Sequence, residues 1–259
     1  MIHYKTAEEV ELIKESAEIL SRAHGEVASM IRPGVKTIDL DHRAESFIKD
    51  QGGKPSFKNY KSFPFSLCIS LNENVVHGFP GKYELQEGDI VSIDCGVFYK
   101  GFHSDCAYTY PVGPVSPDKE ELLKITEESL YEGIRNAKAG NRIGDISFSI
   151  QEYTEKRGFS VVRELVGHGI GKNLHESPEV PNYGKRGNGP KIKPGLVIAI
   201  EPMINMGRRN VVQENDGWTI RTQDREPSAH FEHTVAIFEG KTEILTTHKY
   251  IEENFVMNG

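Results

Sequence analysis

Between residues 7 and 31, Val10, Ile13, Ala17, Leu20, His24, Val27 and Ile31 recur at alternating intervals of three and four. That spacing draws one apolar face along a helix, and "RPG" at 32–34 stops it. A second helical pattern starts at Thr37, whose hydroxyl is placed to cap it, and ends at "QGG" at 51–53. Further on the period changes. "GDIVSIDCGVFYKGFHSDCAYTYP" reads as a hairpin with strands near 89–98 and 102–110, and "LVIAI" at 196–200 is a continuous apolar run suited to a strand covered on both faces.

The order helix, helix, strand then returns. A helix begins at Ser116 with Pro117 in its first position and stops at "AKAG"; "NRIGDISFSIQEYTEKRG" forms the next. Gly34, Asp39, Leu40, Phe47 and Gly52 match Gly140, Asp145, Ile146, Tyr153 and Gly158 at an offset of 106. "EGDIVSID" aligns with "PGLVIAIE" at an offset of 107, placing Gly88 on Gly195 and Asp94 on Glu201. The repeat predicts one pseudo-twofold α+β domain over 1–259, with sheets packed together, helices outside, and Asp94 and Glu201 at equivalent strand ends. The Gly- and Pro-rich stretch 181–195 is expected to be a surface loop rather than a linker.

The hairpin register carries chemistry. With a two-residue turn at Lys100 and Gly101, Asp94 pairs with Ala107, and Asp105 lies diagonally on the same face. Two carboxylates so close repel unless a proton or a metal intervenes. His168 lies between Gly167 and Gly169, where backbone can approach a ligand; Glu201 ends the 196–200 strand before Pro202; Glu232 enters the last main strand, expected over 232–238. Four carboxylates and one imidazole suit two divalent first-row ions better than structural zinc.

Composition narrows the class. The formal charge of −7 speaks against an extended nucleic-acid surface. Cys68, Cys95 and Cys106 form no CxxC pair, which points to a reducing compartment, and no apolar run approaches a membrane span. The expectation is a cytoplasmic protein with no DNA and no membrane among its partners.

The stretches "NENVVHGFP", "GDIVSIDCGVFYKGFHSDCAYTY", "ELVGHGIGKNLHESPEVPNYG", "GLVIAIEPM" and "DGWTIRTQDREPSAHFEHTV" resemble the type I methionine aminopeptidases, a family with the pita-bread fold. That resemblance spans nearly the whole chain and implies a compact bacterial-type enzyme. It implies that Asp94, Asp105, His168, Glu201 and Glu232 bind two divalent ions (Mn, Fe, Co or Zn), whose shared water attacks the peptide bond after the first residue. Glu201 would also shuttle a proton, His175 would bind the carbonyl oxygen, and His77 would contact the scissile amide. Tyr60, Phe63, Cys68, His77, Leu174, His175 and Trp218 would form the methionine pocket. The implied partners are peptides and nascent chains with N-terminal methionine, with transient ribosome association and a monomeric enzyme. Phe63, Leu174 and His230 depart from the tyrosine, aromatic and glutamine residues common in relatives. An X-Pro peptidase of the prolidase type and a non-catalytic module on the same fold are the alternatives.

Overall fold

The computed structural model describes residues 1–255. Helix α1, Ala7–Ala28, opens with a capping box in which Glu9 N–H donates to the Thr6 hydroxyl and Thr6 N–H donates to the Glu9 carboxylate. It ends three residues earlier than its apolar pattern. Helix α2, Thr37–Asp50, is not capped by Thr37, contrary to expectation. Lys36 occupies that position, and the Thr37 hydroxyl instead accepts from Gly81 N–H and donates to Gly81 O, tying the helix start to the following loop. Helices α3, Pro117–Asn136, and α4, Ile143–Glu155, follow, with Ser116 capping α3 and Pro117 at its first position. A short helix α5 covers Lys249–Asn254.

Nine strands form one antiparallel sheet. Its main path runs Lys54–Pro55, Ile90–Tyr99, Phe102–Pro111, Glu232–Ile237, Val197–Ile200, Gly167–Gly169 and Glu176–Val180. Leu67–Leu71 adds to Ile90–Tyr99, and Thr242–Ile244 adds to Glu232–Ile237. One cluster of buried residues joins α1 and α2 to the hairpin through Leu20, Leu40, Ile48, Ile93 and Val97. A second joins α3 and α4 to the other half through Leu130, Ile146, Ile150, Ile198 and Val235. Each fully buried aliphatic side chain contributes roughly 1.5–3 kcal/mol relative to exposure, so the helices are held by one apolar face each. This is the pita-bread architecture, with helices outside a curved sheet.

The repeat is written in hydrogen bonds as well as in sequence. Gly34 N–H donates to Leu85 O and Gly140 N–H to Ile192 O. Thr37 N–H and Ile143 N–H donate to Tyr83 O and Pro190 O, and Ile38 N–H and Gly144 N–H to Gly81 O and Asn188 O. Every donor is displaced by 106 residues and every acceptor by 107. Gly34 and Gly140 hold φ of 87° and 98°, where a side chain is disfavoured. The stretch 181–195 is therefore the counterpart of 74–88: mostly exposed, but tied to α4 by backbone hydrogen bonds.

The pseudo-twofold continues across the middle of the sheet with a different offset. Thr109 Oγ1 donates to His230 O and accepts from His230 N–H; Thr234 Oγ1 donates to Asp105 O and accepts from Asp105 N–H. The offset of 125 in both pairs makes Asp105 and His230 equivalent positions, as Asp94 and Glu201 are at 107.

Candidate metal centre

The hairpin forms with the expected register: Tyr99 pairs with Phe102, and Lys100 and Gly101 adopt φ of 48° and 88° in a two-residue turn. Asp94 faces Ala107 on one side and Cys68 on the other, and Ala107 pairs with Glu232 on the next strand. His233 pairs with Ile200, so Glu201 stands one residue beyond, next to Glu232. Cys68, Asp94, Ala107, Glu232 and Glu201 thus form a row across five strands. Asp105 is two residues from Ala107 on the same face. Alanine in the middle of that row leaves open space between the carboxylates.

His168 approaches from the strand Gly167–Gly169. A Cβ on Gly167 would lie 2.5 Å from Ala199 O, and one on Gly169 2.4 Å from Ser177 O. The two glycines admit neighbouring strands, not a ligand as the sequence suggested. His168 Nδ1–H donates to Gly169 O at 2.9 Å, so Nε2 carries a lone pair toward Asp105 Oδ2 at 3.9 Å and Glu201 Oε1 at 3.6 Å.

Above this floor lies a cavity of about 160 Å³. It is lined by all twelve residues expected from the sequence: the four acids and one histidine just described, with Tyr60, Phe63, Cys68, His77, Leu174, His175 and Trp218. Phe57 and Lys61 also line it and were not anticipated. Lys61 enters by a left-handed backbone, φ 47°, that nothing in "NYKSF" announces. The larger groove beside α4, about 980 Å³, contains none of these groups.

The walls are built locally. Asp41 on α2 accepts from Ser66 and Leu67 N–H, both 2.8 Å, which fixes the strand that presents Cys68. Phe63 packs edge-on against Phe79 and Trp218. Asp216 accepts from the N–H groups of Trp218 and Thr219, fixing the turn that carries Trp218. Neighbouring Gly78 leaves no room for a Cβ, which would fall 2.2 Å from Ile69 O, and His77 itself holds φ of 59°. At the mouth, His175 Nδ1 is 2.8 Å from the Tyr60 hydroxyl, and its ring centroid is 4.2 Å from that of His168.

Burial and mutual repulsion dominate the charges. Burial raises Asp94 from its ordinary 3.8 to about 7. It also raises Asp105, Glu201 and Glu232, to each of which neighbouring carboxylates add repulsion. Burial lowers both His77 and His168 to about 4, so the imidazoles are neutral and cannot neutralise the acids.

Metallopeptidase family M24 matches residues 11–239. The chain belongs to that family, among its methionine aminopeptidases. Over 246 residues it is 53% identical to a methionine aminopeptidase of Clostridium perfringens, covering 95% of this chain and 99% of that one. A Bacillus subtilis methionine aminopeptidase is 51% identical over the same length and coverage. The crystal structure of a Thermotoga maritima methionine aminopeptidase superposes with a TM-score of 0.94 at 44% identity, covering 95% of this chain and all of that one.

The donor set fits divalent cations. Asp94 Oδ1 and Glu232 Oε1 are buried without a hydrogen-bond partner, as carboxylate oxygens reserved for a cation would be. Asp105, His168 and Glu232 bring ligand atoms within 4.8 Å of one another. Cys106, His233 and His248 also cluster, on the opposite face of the sheet. There the Cys106 thiol donates to Glu232 O and lies 3.6 Å from His248 Nε2, His233 contacts the Thr246 hydroxyl, and the two rings stack at 4.1 Å.

Proposed function

We propose that the protein hydrolyses the peptide bond after an N-terminal methionine, on peptides and nascent chains, with two divalent ions held by Asp94, Asp105, His168, Glu201 and Glu232. The observation that carries this reading is an apolar pocket of one-side-chain size ending on a cluster of four carboxylates and a neutral imidazole. Bound ions supply an activated water and polarise the scissile carbonyl. The remaining work falls to the chain itself.

Phe63, Cys68, Leu174 and Trp218 form an apolar wall suited to an unbranched thioether side chain. The substrate's free α-amine would bind at the ions held by the carboxylate row, which restricts the enzyme to chain ends. Glu201 takes the proton released by the attacking water. His175, oriented by the Tyr60 hydroxyl, donates to the carbonyl oxygen as charge develops. His77 faces the scissile nitrogen. Tyr60, His77 and His175 crowd the mouth, which favours a small second residue.

Among the described residues no helix is long and apolar enough to cross a membrane. The proposal extends to a cytoplasmic, monomeric enzyme acting as one catalytic unit on chains leaving the ribosome; the cysteines, all free and buried, suit a reducing compartment. Release of free methionine from Met-Ala-Ser by metal-stripped protein, titrated anaerobically with manganese, iron, cobalt or zinc, tests the proposal. Metal-dependent release supports it and ranks the ions. Folded protein that releases nothing with any of the four, or that prefers Ala-Pro-Ala, overturns it.

A further inference from the structure

His230 borders the centre, yet the proposed reaction gives it no task. It lies at the end of the strand Ser228–His230, is 1% exposed, and neither ring nitrogen has a hydrogen-bond partner. Its Nε2 faces Glu201 Oε2 at 3.7 Å, while His168 Nε2 faces the other oxygen, Oε1, at 3.6 Å. One carboxylate therefore stands between two imidazoles.

The two rings bring opposite polarity. His168 commits its proton to Gly169 O and offers Glu201 a lone pair, an arrangement that a cation or a proton between them makes favourable. His230 has no partner at Nδ1, and the acceptor its Nε2 faces is Glu201, so its single proton is drawn to Nε2. At 3.7 Å the contact is not yet a hydrogen bond, and closing it takes a movement of roughly 1 Å or less. The ring is carried on backbone locked by both hydrogen bonds to Thr109, the same device by which Thr234 holds Asp105.

We propose that His230 is a positioning residue whose Nε2–H donates to Oε2 of Glu201, turning Oε1 toward the cation shared with His168. The inference rests on the reading of Glu201 as a ligand. A glutamine at this position would offer a comparable donor from its amide.

The test is cobalt(II) titration of metal-stripped protein, followed by binding isotherm and visible absorption, beside methionine release. His230→Leu removes the donor at similar volume. We expect its cobalt affinity and kcat each to fall about 10- to 100-fold, the range for losing a group that supports a ligand, with KM little changed. His230→Gln should recover both to within a few-fold and keep the absorption bands of the parent. Parent-like affinity and kcat in His230→Leu would overturn the proposal. So would bands in His230→Gln that lose a nitrogen ligand, since His230 would then bind the ion itself. Thermal unfolding checks that the leucine variant folds, and His230→Met replaces it otherwise. A parent protein that takes up no cobalt would overturn the metallopeptidase reading first.

Discussion

The two halves of the molecule share a backbone and differ in chemistry. Equivalent turn glycines, helix starts and threonine locks recur. Yet Asp94 has Glu201 as its counterpart, Asp105 has His230, and Ala107 has Glu232. The last pair explains why the centre cannot be symmetric. Ala107 and Glu232 are direct cross-strand partners, so a second acid at 107 would sit against the first. The scaffold tolerates duplication, whereas a site on the pseudo-axis needs one large and one small residue there.

The strongest way to break the comparison is at position 105. Asp105→Asn should lower methionine release by about 10³-fold or more, in the manner of removing a member of a concerted site, and weaken metal binding measured by calorimetry. Unchanged affinity would remove it from the ligand set. His175→Ala should retain metal and lose about 10²- to 10³-fold in kcat, read by steady-state kinetics on Met-Ala-Ser.

A third test uses pH. Burial raises the carboxyl of Asp94 from 3.8 in the unfolded chain to about 7 in the metal-free fold. Between those values the unfolded chain gives up its proton first, so the contribution of Asp94 to metal-free stability falls as pH rises from about 4 to 7 and then levels. Divalent ions favour the charged form and remove that fall. The gap in Tm between metal-loaded and chelated protein should therefore widen from pH 5 to pH 7.5, and a constant gap would contradict the account.

The halves can also be compared through their locks. Thr234→Val and Thr109→Val each leave a backbone N–H and C=O without a partner, costing about 1–3 kcal/mol in urea denaturation. Thr234→Val should weaken metal binding more, because it frees Asp105 itself. Smallest are Gly34→Ala and Gly140→Ala. Both have open space for a methyl group, so each should cost only the left-handed strain of about 1–2 kcal/mol, and nearly the same amount.

Much of this was legible because it is local or periodic. The hairpin register follows from a two-residue turn, and with it the placement of Asp94 and Asp105. The repeat offsets place Asp94 and Glu201 at matching strand ends. Of the twelve expected cavity residues, Asp94, Asp105, His168, Glu201 and Glu232 come from the strand pattern and the other seven from the resemblance, and the structure brings them together. What escaped depends on distant backbone. The Thr37 hydroxyl is taken by Gly81, the glycines around His168 by Ala199 and Ser177, and Lys61 reaches the cavity through an uncommon φ. The second offset of 125 was also missed, since it appears only as side-chain hydrogen bonds to backbone across the middle of the sheet.

That middle is narrow. Between Phe102–Pro111 and Glu232–Ile237 only Glu232 with Ala107 and His233 with Cys106 are paired. Asp94 and Asp105 lie before the turn at Gly113 and Pro114; His168, Glu201 and Glu232 lie after it. Cations gripped by all five would act as a clasp between the two halves. Were the chain cut at that turn, divalent ions that bind only the assembled form would favour reunion of the two fragments.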